Sequence, residues 1–161
     1  MINVYLLLGS NLGNRELFLE QAAVHINAEA GEVVQRSGVY ETQSWGKTDE
    51  PDYLNQVLLI NTTLGAKNLL NKLLNIELLL GRERQQKWGS RTVDIDILFY
   101  NNEIINEPGL TIPHPELHKR RFTLEPLDEI APGLMHPVLK KTVKTLKSEL
   151  QDKLEVKKIY F

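Results

Sequence analysis

Two aspartates separated by one residue, Asp94 and Asp96, stand at the head of an apolar run and follow a cationic stretch that carries Lys87 and Arg91. In a strand, side chains alternate between faces, so Asp94, Asp96, Leu98 and Tyr100 would share one face and Val93, Ile95, Ile97 and Phe99 the other. A bare Asp-x-Asp is most often a solvated strand face. Here Leu98 and Tyr100 extend the carboxylate face with groups that favour burial, which points to the mouth of a covered cavity. Two carboxylates about 6–7 Å apart along a strand repel, more strongly when partly buried. A divalent cation would offset that repulsion. Oxygen donors with no cysteine in the chain and no histidine in the strand suit a hard ion such as Mg²⁺, which takes one or two carboxylates together with phosphate oxygens and water. Arg91 can grip phosphate through two N–H groups, and Lys87 can serve as a mobile point charge. The local reading is a magnesium and phosphate site.

The 161 residues suit one domain spanning 1–161 and are too few for two comfortable ones. A formal charge of −2 argues against general affinity for nucleic acid, so any basic site must be local. The absence of cysteine excludes disulfides, thiolate nucleophiles and zinc–cysteine sites together, and fits a reducing cytoplasm. No apolar stretch approaches a membrane span, so a soluble, cytoplasmic protein without a membrane partner is expected.

Several elements must position the aspartates. Val4 to Leu8 reads as a buried strand closed by Gly9. Asn14 then caps a helix with apolar residues at Leu17, Phe18, Ala22 and Ile26, ending at Gly31. The turn between them lacks both common phosphate-loop glycine patterns. Glu32 to Thr42 and Tyr53 to Leu64 read as strands joined by a long loop carrying Trp45, and loops of that length in a compact domain are often functional. Ala66 to Leu80 is the clearest helix, with Gly81 as its stop, and Glu77 interrupts its apolar positions as either a solvated residue or a carboxylate facing the site. After the aspartate strand, Asn101-Asn102 marks a turn with Ile104-Ile105 as a short antiparallel return, and His114 sits in a rigid stretch between Pro113 and Pro115. Arg120 and Arg121 precede Phe122; helices over Leu124 to Ile130 and Val138 to Leu150 and a strand over Val156 to Tyr160 complete the chain. Strands and helices mixed without regular βαβ alternation predict an α+β fold, a largely antiparallel sheet covered by helices.

Together these residues resemble the 6-hydroxymethyl-7,8-dihydropterin pyrophosphokinase family of folate biosynthesis. The resemblance rests on Gly9-Ser10-Asn11-Leu12, Tyr40-Glu41-Thr42, Pro51-Asp52-Tyr53-Leu54-Asn55, Gly81-Arg82-Glu83-Arg84 and the run from Trp88 to Leu98, followed by Pro113-His114 and Phe122. It implies a ferredoxin-like fold and transfer of the β,γ-pyrophosphoryl group of ATP to the pterin hydroxymethyl oxygen, releasing AMP. By the same resemblance Asp94 and Asp96 hold two Mg²⁺ ions, and Arg82, Arg84, Trp88 and Arg91 belong to a mobile loop over the triphosphate, with Arg82 and Arg91 assisting the chemistry. Glu77, His114 and Arg120 match nucleotide contacts, and Thr42, Trp45, Tyr53, Asn55 and Phe122 match the pterin pocket. A monomer is implied as well. The chain departs from the family at Gln43-Ser44 and Ser90, where proline is frequent, and near Gly109, where some members carry an arginine that Lys119 or Arg121 would have to replace.

Two readings compete with a pyrophosphokinase. A ferredoxin-like module for single-stranded RNA would want exposed aromatics where this chain places carboxylates. A two-metal phosphodiesterase would share the aspartates but would not need a pterin alcohol.

Overall fold

The computed structural model describes residues 1–42, 52–81 and 92–160. In order, its elements are β1 (Ile2–Ser10), α1 (Arg15–Glu29), β2 (Glu32–Arg36), β3 (Val39–Thr42), β4 (Tyr53–Thr62), α2 (Ala66–Leu79), β5 (Asp94–Tyr100), β6 (Ile105–Glu107), β7 (Leu110–Ile112), a one-turn 3-10 helix (Leu117–Lys119), α3 (Arg121–Ile130), α4 (Val143–Ser148) and β8 (Val156–Ile159). The main sheet runs β5-β1-β4-β3-β8, with β2 also paired to β4, and all its pairings are antiparallel. Counting β2 and β3 as one interrupted strand, β1 to β5 form a βαββαβ unit with the ferredoxin-like order. The α+β expectation holds. Among the described residues no helix is long and apolar enough to cross a membrane.

Two buried clusters sandwich the sheet. One joins Leu6, Leu8, Leu54 and Ile60 to Ala22, Ile26, Leu69 and Leu73 of α1 and α2; the other joins Leu7, Val57 and Phe99 to Leu124 and Leu127 of α3 and Val143 and Leu146 of α4. The central strands β1 and β4 are therefore apolar on both faces, as a sheet covered on both sides requires. At the start of α1, Asn14 accepts from Leu17 N at 3.1 Å, the expected cap.

The structure corrects the sequence reading at four places. The strict alternation along β5 fails, because Tyr5 pairs with Phe99 and Leu6 with Ile97, leaving Leu98 without a partner on β1. This β-bulge reverses the facing of everything beyond it. Tyr100 joins Ile95 and Ile97 in one cluster, and Phe99 joins Leu98 in the other. The Leu98 carbonyl accepts from His114 N at 3.1 Å.

The expected strand Glu32 to Thr42 divides at Ser37 and Gly38. Ser37 is bonded to β4 by backbone and side chain, with Val57 N donating to its hydroxyl, and Gly38 N donates to Glu129 of α3. Ile105 returns onto β7 rather than onto the aspartate strand. Of the expected helix from Val138 to Leu150, only Val143–Ser148 forms, because the buried His136 accepts from Val138 N and Leu139 N, and Lys140 takes a positive φ of 58°. Thr142 then caps the shorter helix.

Candidate active site

Gly9 is where the site begins. In the sheet register it lies opposite Asp94 on one side and Asn55 on the other. A Cβ at Gly9 would stand 2.9 Å from Asn55 Nδ2, so the absent side chain leaves the Asn55 amide its place. That amide is buried and donates to Leu8 O at 3.2 Å, which locks its orientation. Leu7, two residues earlier, pairs with Asp96, and Thr42 of β3 pairs with Tyr53 of β4.

These strand ends open into a cavity of about 620 Å³ lined by residues from both edges of this row. Thr42, Tyr53, Asn55, Asp94, Asp96, Arg120 and Phe122 all line it, so seven of the residues singled out from the sequence converge on one space. The Thr42 hydroxyl is buried and has no hydrogen-bond partner among the described residues, leaving a polar group that a ligand could satisfy. Arg120 places its guanidinium carbon 5.5 Å from the centre of the Phe122 ring, so a cation and an aromatic face meet at the wall.

Two expected nucleotide residues stand apart from that lining. Glu77 is 3% exposed, and its Oε2 accepts from Ile95 N at 2.7 Å. It therefore holds β5 by the peptide between the two aspartates. Of the two readings open for Glu77, the solvated one is excluded. His114 lines a smaller cavity of about 250 Å³ bordered by the β6–β7 hairpin, with Thr111, His118 and His136. Burial holds its imidazole below the ordinary value; the Asp96 carboxylate pulls the other way and the Arg120 cation adds to the lowering. His114 Nδ1 accepts from Glu116 N at 3.1 Å, so neutral His114 carries its proton on Nε2 and is a donor there. Arg82, Arg84, Lys87, Trp88 and Arg91, and Trp45 with its loop, lie outside the described residues.

The lining also includes groups that sequence reasoning did not place in the site. In the sequence Leu7 is only part of a strand, and Gly9 only its end and a member of the Gly9-Ser10-Asn11-Leu12 motif, although a glycine closing a strand beside a ligand-bearing row is a usable signal. The sequence marks Lys119 only as a replacement cation for the arginine absent near Gly109. Gln151, Asp152 and Leu154 carried no signal, because they come from a segment far along the chain and without regular structure.

As a metal site, the pair Asp94 and Asp96 suits a hard cation shared with a substrate. Both are part exposed and both face the cavity, while no group of three or more metal-ligating side chains exists among the described residues. Such a donor set fits Mg²⁺, which completes its shell with phosphate and water, and does not fit a closed structural zinc site.

The chain is similar to known proteins in sequence and in fold. A family profile described as 7,8-dihydro-6-hydroxymethylpterin-pyrophosphokinase (HPPK) matches residues 5–132. A 2-amino-4-hydroxy-6-hydroxymethyldihydropteridine pyrophosphokinase of Aquifex aeolicus is 42% identical over 149 residues, covering 92% of each chain. A protein of the same description from Haemophilus influenzae is 44% identical, covering 85% of this chain and 86% of the other. Among solved structures, a chain described as HPPK-DHPS in complex with substrates matches with a TM-score of 0.74 at 14% identity, covering 91% of this chain and 43% of that one. The wild-type HPPK-DHPS of Plasmodium falciparum with pteroate matches with a TM-score of 0.72 at 17% identity, covering 92% and 42%. This chain thus spans less than half of those longer chains, and at such identities they speak for the fold. The profile and the relatives above 40% identity carry the assignment: the chain belongs to the 7,8-dihydro-6-hydroxymethylpterin-pyrophosphokinase family.

Proposed function

We propose that the cavity at the ends of β1, β3, β4 and β5 receives the pterin alcohol, with Asn55 reading the edge of the heterocycle, Phe122 covering its face and Asp94 and Asp96 at its reacting end. The reaction is transfer of pyrophosphate from ATP to 6-hydroxymethyl-7,8-dihydropterin, giving AMP and the pterin diphosphate in folate biosynthesis. The observation that carries the reading is the convergence of Thr42, Tyr53, Asn55, Asp94, Asp96 and Phe122 on one space flanked by Lys119 and Arg120.

Each residue has a defined task. The Asn55 amide, preset by the N–H it gives to Leu8 O, offers its second N–H and its carbonyl oxygen to a heterocycle. The buried Thr42 hydroxyl supplies a further polar contact. Phe122 stacks on the flat ring, with Arg120 on its other side toward the polyphosphate. The hydroxymethyl oxygen forms its bond to the β-phosphorus, the bond from that phosphorus to the oxygen bridging the α-phosphate breaks, and the hydroxyl proton passes to solvent as AMP departs. Asp96 orients the attacking hydroxyl. Two Mg²⁺ ions held by Asp94 and Asp96, when bound, would neutralise triphosphate charge and align its oxygens. No covalent intermediate with the protein is needed, since positioning and charge neutralisation carry this class of transfer. The nucleotide is held by Arg120 and His114, with Arg82, Arg84, Trp88 and Arg91 over the triphosphate, while the expected nucleotide contact Glu77 instead serves the site from behind, through Ile95 N of β5. Trp45 stands beside the pterin.

The protein acts as a single-domain monomer in the cytoplasm. The lack of cysteine and a sheet whose both faces are already covered support this part of the reading.

The test is incubation with ATP, Mg²⁺ and 6-hydroxymethyl-7,8-dihydropterin, followed by chromatographic separation of the nucleotides. Pterin-dependent AMP is expected. Stoichiometric ADP would overturn the transfer at the β-phosphorus, and hydrolysis of ATP or phosphodiesters without pterin would favour the phosphodiesterase reading.

A further inference from the structure

One wall of the cavity comes from a segment that lies beyond residue 132, where the family profile ends. Gln151, Asp152 and Leu154 belong to the connection from α4 to β8. The connection has no regular structure, yet its burial alternates: Gln151, Lys153 and Glu155 are exposed, while Asp152, Leu154 and Val156 are part buried. That is the period of an extended chain with one face turned to the protein. Leu154 is the one apolar side chain between Leu150 and Val156, and the face it turns inward lines the cavity.

The segment is fastened at both ends to walls already described. Asp152 Oδ2 accepts from Arg121 N at 2.9 Å, serving the first turn of α3, whose own N-cap residue Arg120 makes no side-chain cap. The Arg121 Nε donates to Asp152 O at 3.3 Å, and Leu154 N donates to Asp152 Oδ1 at 2.9 Å. One carboxylate therefore ties Leu154 to the residue beside Phe122. Downstream, Val156 pairs with Thr42, so the same segment is also anchored to the β3 side of the cavity.

We propose that Leu154 is a specificity-determining contact for the acceptor, an apolar wall set beside Phe122 against the flat heterocycle, and that Asp152 is the positioning residue that holds it there. The proposal rests on the acceptor site described above. A part-exposed leucine directed into a cavity gains burial when an apolar ring occupies it, which ties acceptor affinity to this side chain and leaves nucleotide affinity untouched.

The experiment compares wild type, Leu154→Ala, Leu154→Met and Asp152→Ala, measuring kcat, the KM for the pterin alcohol, the KM for ATP and the Tm. Leu154→Ala is expected to raise the acceptor KM roughly five-fold or more, from the lost apolar contact, with the ATP KM and Tm near wild type. Leu154→Met, which conserves volume, should restore most of the acceptor affinity. Asp152→Ala should reproduce the acceptor effect; should it fail to fold, the two Leu154 variants decide. An unchanged acceptor KM in Leu154→Ala overturns the proposal, as does a rise of both KM values accompanied by a fall in Tm. Absence of pterin-dependent AMP from the wild type would instead overturn the acceptor reading itself, so the two failures are distinguishable.

Discussion

Replacing Glu77 by alanine tests whether a buried carboxylate organises the aspartate strand from behind. The side chain is 3% exposed and receives the Ile95 N–H at 2.7 Å. Losing it leaves a buried backbone donor unpaired, which costs about 1–3 kcal/mol. Lost packing of the side-chain methylenes adds about 1 kcal/mol, and relief of carboxylate desolvation offsets part of the total. A net loss of about 2 kcal/mol, at about 3 °C per kcal/mol for a domain of this size, lowers Tm by about 6 °C. Because Ile95 lies between Asp94 and Asp96, a displaced strand misplaces both carboxylates, and misplacement by about 1 Å can cost about 100-fold in rate. Glu77→Gln keeps an oxygen acceptor and should recover most of the stability. Thermal denaturation with steady-state kinetics on the three proteins provides the measurement. If Glu77→Ala kept its Tm and changed only the KM for ATP, the carboxylate would be serving the nucleotide and not β5.

Asp94→Asn and Asp96→Asn should fold with undiminished Tm, since each relieves carboxylate repulsion, yet lose most turnover at saturating Mg²⁺; near-normal turnover would exclude them as metal ligands. Stability should fall on acidification below about pH 6.5, because burial depresses His114 and His136 in the folded state. Between their folded pKa values and 6.5 the unfolded chain binds more protons, so unfolding is favoured as pH drops through that window. His136→Asn should flatten this part of a Tm-against-pH curve, and an unaltered slope would assign the effect elsewhere. Arg15 donates to Glu41 Oε2 at 2.8 Å and to Asp52 O at 2.7 Å, tying together the strand ends beside Thr42 and Tyr53. Arg15→Ala should cost about 1 kcal/mol, the size of a part-screened ion pair with one further hydrogen bond, as read from urea denaturation.

Much of the site was legible in residue types and local spacing. Asp94-x-Asp96 needed only strand periodicity to place two carboxylates on one face, and the Asn14 cap and the leucines of α2 declared their helices through short-range rules. The reading broke where long-range contacts override local pattern. The bulge at Leu98 arises from pairing with β1 and moves Tyr100 to the opposite face, and His136 diverts the chain from a helix by accepting two backbone N–H groups.

By itself, the sequence determined the chemistry available: oxygen ligands without thiols, a carboxylate pair beside cations, an amide and aromatics suited to a heterocycle, and the motifs that mark the family. Only the tertiary structure decided which of those groups share a space. Thr42, Asn55, Asp94, Phe122 and Leu154 come from five separate segments, and their meeting at one cavity depends on strand order and register. The role of Glu77 shows the same division. Its place on α2 was evident from helical periodicity, but whether its carboxylate met water, nucleotide or backbone depended on how α2 lies across β5. That is a packing outcome, settled by the burial of two apolar surfaces against each other, and no local rule contains it.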